Sequence, residues 1–159
     1  KHGIDYCVLK GSASAYYYPK PMLRCMGDVD FLVSTKDFER TTEILKSKGF
    51  APLTSEKHIC HLALKKDKMH FEVHFTPAGL PEGNAGELIK GYLADIFEKS
   101  ETADIGGNQF IKPNHFHHGL VSLNINKPHN CVDYILGAHL LFGLNLKIEP
   151  FEFATLIKS

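Results

Sequence analysis

The sequence predicts an α+β domain built on a mixed β-sheet, and three observations carry that prediction. Period-two alternation over 28–33 and 69–75 marks strands, while helical patterns fall between and after them. The runs 58–66 and 69–75 follow one another across a charged Asp67-Lys68 turn as a hairpin, which a doubly wound parallel sheet does not contain. At 159 residues and 43% hydrophobic, the chain is sized for one core and one domain.

The elements follow in order. "IDYCVL" (4–9) reads as a strand ended by Gly11, and "SASAYYY" has the small residues and hydroxyl cap of a helix start. Residues 19–26 hold two prolines and form a loop, and 28–33 is a second strand between Gly27 and Ser34. "STKDFERTTEILKSKGF" is a helix capped at Ser34 or Thr35, with Phe38, Ile44 and Leu45 as its apolar side and Gly49 as its stop. After the hairpin, a helix is predicted over 84–99, with Gly91 weakening it. "ETADIGGNQFIKP" reads as a loop and one short strand, and the chain from Asn114 as mostly helical, broken by Pro128 and Pro150. The expected division is a core over 1–112 and a helical segment over 113–159 packed on the same domain.

Charge narrows the function classes. Eighteen basic residues balance eighteen acidic ones, so no bulk field argues for a nucleic-acid or acidic-membrane partner. The apolar run 134–146 carries a histidine and two glycines and falls short of a membrane span. Cys7, Cys25, Cys60 and Cys131 stand singly, which predicts reduced thiols and a cytoplasmic protein. The start at Lys1, without an initiator methionine, predicts a piece of a longer reading frame.

Asp28 and Asp30 interrupt an otherwise apolar strand. Alternation puts Val29, Phe31 and Val33 on a core face and both aspartates on the other, their Cα atoms about 6.5 to 7 Å apart. Two such carboxylates repel unless a cation joins them. "MHFEVHF" has the same parity, with Phe71, Val73 and Phe75 on one face and His70, Glu72 and His74 on the other. If the two strands are neighbours, Asp28, Asp30 and Glu72 form an oxygen-rich cluster suited to magnesium or manganese. Two such ions clamp the attacking and leaving oxygens in phosphoryl or nucleotidyl transfer. The Gly11-Ser12 turn entering a helix adds backbone N–H groups for a phosphate. The bland alternatives are a solvent-facing strand with alternating acids and an ordinary helix cap.

"LKGS" (9–12), "GDVDFLV" (27–33) and "FEVHF" (71–75) together resemble the DNA polymerase beta-like nucleotidyltransferase superfamily. More narrowly, the Leu-Lys-Gly start, the Tyr-Pro-x-Pro loop and the Gly-Asp-x-Asp run look like an uncharacterised bacterial nucleotidyltransferase family. The resemblance covers roughly residues 4–75 and implies a mixed sheet with helices on one face and an open catalytic face. It implies transfer of a nucleoside monophosphate from an NTP to a hydroxyl-bearing small-molecule or protein acceptor, with release of pyrophosphate. Asp28, Asp30 and Glu72 would hold two Mg2+ or Mn2+ ions, Gly11 and Ser12 the phosphates, and Lys10 and Arg24 the phosphate charge. His74 would touch phosphate or orient Glu72, or else be a buried imidazole. Two departures stand out: the spacer between Ser12 and Asp28 is long for the superfamily, and the third acid is Glu where Asp is usual. The rival classes are a nucleotide-binding module without turnover and a toxin–antitoxin-type component acting on a protein partner.

Ten histidines raise the question of zinc. His58 and His61 of "HICH" face opposite sides of a strand, and "HFHH" (115–118) has no cysteine or acid at ligand spacing, so hydrogen-bonded histidines are the expectation. Cys25 is expected to pack rather than react, and at least one of Tyr16, Tyr17 and Tyr18 to belong to the core.

Overall fold

A computed structural model describes residues 3–24, 27–53, 60–77, 80 and 82–125. The expectations for Cys25, His58, the apolar run 134–146 and the helix breaks at Pro128 and Pro150 lie outside the described residues. The fold is the α+β mixed sheet that the patterning predicts. Strands β1 (Tyr6–Val8), β2 (Val29–Val33), β3 (Ala51–Pro52), β4 (His61–Lys66) and β5 (Met69–His74) form one sheet in the order β1-β2-β5-β4-β3. Its one parallel pairing is β2 with β5; the other pairs are antiparallel.

Helix α1 (Ser12–Ala15) is a single turn with Gly11 at its N-cap and no side-chain cap. Gly11 takes φ 60° and ψ −111°, a region a Cβ disfavours, so the glycine is needed for the chain to turn there. The tyrosines continue as turns, with Tyr17 and Tyr18 N–H groups bonded to Ser14 and Ala15 carbonyls. Helix α2 (Phe38–Ser47) starts later than the hydroxyls predict, because Thr35–Asp37 form a 3-10 turn in which Ser34 Oγ donates to Asp37 Oδ2 at 2.7 Å. It ends as a Schellman motif: Phe50 N–H bonds to Leu45 O and Gly49 N–H, at φ 90°, to Lys46 O.

The predicted hairpin is β4–β5, turned at Asp67 with φ 53°. Helix α3 (Asn84–Leu93) stops short of Lys99; i+3 bonds from Ala94 and Ile96 tighten the chain into turns. The segment expected to hold one short strand holds two, β6 (Glu101–Ile105) and β7 (Asn108–Lys112), around Gly106 and Gly107 at φ 62° and 83°. Two positive φ values make a primed turn that matches strand twist, so the Gly-Gly pair is the hairpin signal. Helix α4 (His115–Ile125) is capped by Asn114, whose Oδ1 accepts the His117 N–H at 2.9 Å.

Alternation sorts the sheet into two faces. Val33, Leu64 and Val73 pack with Phe38 of α2 on one, joined by Phe31, Phe71 and Leu45. Each such fully buried side chain contributes about 1.5–3 kcal/mol of transfer free energy. The opposite face is divided. At one end Cys7, Leu9 and Leu32 pack under Leu93, Ile96 and Val121, so α3, α4 and the turn between α3 and β6 close that end. The other end carries Asp28, Asp30, Glu72 and His74.

Candidate active site

Strand pairing builds the site. Asp30 stands opposite Glu72 and Leu32 opposite His74 on the parallel β2–β5 pair, whose axes lie about 4.8 Å apart. Strand β4 adds His61 opposite His74 and Ala63 opposite Glu72. A polar patch thus spans three strands on one face, ending where Leu32 enters the core.

The two central carboxylates are heavily partnered. Lys10 Nζ lies 3.3 Å from Asp30 Oδ1, and the same oxygen is 3.3 Å from His74 Nε2. His74 Nε2 is also 3.4 Å from Glu72 Oε2, so its proton faces both acids. His61 Nε2 approaches Glu72 Oε1 at 3.8 Å. The His74 bond holds the Glu72 carboxyl down at about 2, outweighing partial burial, with help from His61 and Asp30. Burial pushes the His74 imidazole down, but its bonds to Asp30 and Glu72 reverse that and raise it above its ordinary value. Asp30 is 5% exposed and His74 1%, so their contact lies in the interior.

Of the residues singled out from the sequence, Lys10, Asp30, Glu72 and His74 converge. One donor atom each from Asp30, Glu72 and His74 lies within 4.8 Å of the others, a spacing that a divalent cation can close. Asp28 stands at the rim, its side chain 51% exposed and its Oδ1 3.6 Å from His70 Nδ1. Asp28 is not one of that group of donor atoms. Ser12 and Arg24 meet elsewhere, in a cavity of about 320 Å3 lined also by Pro21, Met22, Asn108 and Phe110. The Arg24 guanidinium carbon sits 5.9 Å from the Tyr18 ring centre. The loop over 19–24 and the β6–β7 hairpin therefore wall one cavity that has Ser12 at its edge.

Sequence reasoning missed His61, and with it Cys60. Counting back from the two-residue Asp67-Lys68 turn pairs His61 with His74, a signal that the comparison with His58 obscured.

A mixed sheet presenting paired carboxylates beside a lysine and a glycine-started turn is a nucleotidyltransferase-type fold. Over residues 1–122 the chain matches the model of a family described as uncharacterised nucleotidyltransferase, and it belongs to that family. The match spans the whole sheet and most of α4. No curated protein matches the chain. Among the described residues, no helix is long and apolar enough to cross a membrane.

Proposed function

We propose that the chain is a divalent-metal-dependent nucleotidyltransferase of the DNA polymerase beta-like superfamily. The observation that carries the reading is the register that sets Asp30 against Glu72 with Lys10 at Asp30, in a chain of a nucleotidyltransferase family. In this reading the acceptor hydroxyl oxygen attacks the α-phosphorus of an NTP and gives up its proton to solvent water, the bond from that phosphorus to the α–β bridging oxygen breaks, and pyrophosphate leaves. Asp28, Asp30 and Glu72 would hold Mg2+ or Mn2+ ions, which would supply positive charge to the phosphates and the attacking oxygen.

The chain's own groups divide the remaining work. Glu72, whose carboxyl its bond to His74 holds well below the usual range, is an anionic ligand at neutral pH. His74 orients both carboxylates through Nε2. Lys10 supplies positive charge beside Asp30; the Gly11-Ser12 turn that follows it would take phosphate, with the cavity that Ser12 shares with Arg24 receiving the part of the nucleotide beyond the acids.

The test is a melting-temperature screen of the four NTPs with Mg2+ and with Mn2+, together with pyrophosphate release, in the parent and the Asp28→Asn/Asp30→Asn double variant. A ligand at one hundred times its dissociation constant adds about 2.7 kcal/mol to stability. The parent shows that gain only with NTP and metal together, and the double variant loses it. Equal gains in both proteins, or none in the parent, would sink the reading.

A further inference from the structure

Beside the carboxylates, and sharing His74 with them, lies a group of different chemistry. His61 and His74 face each other across β4–β5 with ring centres 5.0 Å apart. Cys60, just before β4, is anchored through its carbonyl, which accepts the Phe75 N–H at 3.1 Å, and its Sγ lies 3.5 Å from His61 Nδ1. One donor atom each from Cys60, His61 and His74 lies within 4.8 Å of the others. Tetrahedral coordination at zinc distances asks for separations somewhat shorter than that, about 3.3 to 3.8 Å between donors, which side-chain rotation supplies.

A second, separate observation points the same way. His74 Nε2 is committed to Asp30 and Glu72, and its Nδ1 is buried with no hydrogen-bond partner among the described residues. An unpaired buried imidazole nitrogen costs about 1–3 kcal/mol unless something bonds to it. Ligating histidines typically donate their other ring N–H to a carboxylate, which fixes the tautomer that leaves a lone pair for the metal. His74 already has the carboxylate half of that arrangement.

We propose that Cys60, His61 and His74 Nδ1 form a site for a thiophilic divalent transition metal, zinc above all, adjacent to the oxygen-ligated site and sharing His74 with it. One thiolate and two imidazoles select zinc strongly over magnesium, a discrimination that an all-oxygen set of carboxylates does not make. Three protein ligands leave a fourth tetrahedral position for water or an incoming group. Because His74 also orients Asp30 and Glu72, metal at this site stiffens the strand end that carries the acids.

Cobalt tests the assignment without any nucleotide. The full chain, stripped with a chelator, is titrated with Co2+ and then with Zn2+ in competition with a chromogenic chelator. The expected result is one equivalent of Co2+ giving a thiolate-to-cobalt charge-transfer band and tetrahedral visible bands, displaced by Zn2+ and unmoved by excess Mg2+. Cys60→Ser removes the charge-transfer band, and His61→Asn weakens Zn2+ binding at least tenfold while Asp28→Asn leaves the band in place. Circular dichroism reports folding, and His61→Asn carries the test should Cys60→Ser fail to fold. A parent without the band, or a folded Cys60→Ser protein that keeps it, overturns the proposal. These readouts are independent of NTP binding, so this site and the nucleotidyltransferase reading fail separately.

Discussion

His74 and His118 are both buried to within 1% of their surface, yet the fold drives their protonation in opposite directions. His74 lies between Asp30 and Glu72 and is raised; His118 is pushed down to about 3 by burial, then by Lys112, His115 and Arg24. Burial disfavours the imidazolium in both, and the charges alongside decide whether that penalty is reversed. His118 is a neutral packing group, stacked on Tyr17 at 5.0 Å with Nε2 3.5 Å from Ser14 Oγ, and it fastens α4 to α1. Around it Lys112, 1% exposed, donates to Tyr17 Oη, Glu101 Oε2 and the Pro113 carbonyl, with its Nζ 4.8 Å from the Tyr16 ring centre. One cluster sets two carboxylates around an imidazole; the other surrounds a buried lysine with oxygen acceptors and aromatic rings and packs against the glycine-started turn.

The most severe way to break the contrast is to neutralise the acidic cluster. Asp30→Asn is expected to lower pyrophosphate release from NTP roughly a thousandfold or more, the scale of losing a charge-stabilising group in phosphoryl transfer. Circular dichroism should show the variant folded, with a melting temperature lowered by the lost pairing to Lys10 and His74; unchanged turnover would strip the His74 environment of its catalytic meaning.

Removing the cation of the other cluster comes next. Lys112→Ala is expected to cost about 3 kcal/mol in urea denaturation, from the cavity and the bonds left unmade at Tyr17 and Pro113. Glu101 is half exposed and contributes little of that. With Lys112 gone, the His118 imidazole should move up towards its ordinary range in an NMR titration.

Acid sharpens the comparison further. The folded protein keeps His118 neutral down to about 3, whereas the unfolded chain protonates it below about 6.5. Stability from this group is therefore intact at neutral pH and falls as pH drops below 6.5, by about 1.4 kcal/mol per unit and about 2 kcal/mol by pH 5. His118→Gln should flatten that slope in denaturation curves collected between pH 7 and 5. A variant with the parent's slope would assign the acid sensitivity to other groups.

The smallest effect is at the turn between the clusters. Gly11→Ala forces a Cβ into φ 60°, ψ −111° and is expected to cost about 1–2 kcal/mol, with a parallel loss in NTP affinity by calorimetry. A stability loss without an affinity loss would limit Gly11 to a structural part.

Much of this was legible in the residues. Alternation in "DVDFLV" and "FEVHF" assigned Asp30, Glu72 and His74 to one face, and the Asp67-Lys68 turn announced the β4–β5 hairpin. The Gly106-Gly107 pair carried the β6–β7 hairpin equally plainly, but the weakly apolar residues around it read as loop. Cys60 escaped because the metal question was asked along one strand, between His58 and His61, instead of across the pair.

By itself, the sequence determined the directions side chains take within each strand and helix, because a backbone period of two or 3.6 is local. That suffices to segregate the acids from Phe31, Val33 and Val73, and to supply a glycine where the chain turns into α1. Only the tertiary structure decided that β2 runs beside β5, that α3 and α4 close the Leu32 end, and that His74 meets acids while His118 meets Lys112. Those outcomes depend on which elements pack together over long separations, and on charges whose effect grows when water is removed, neither of which a local pattern encodes.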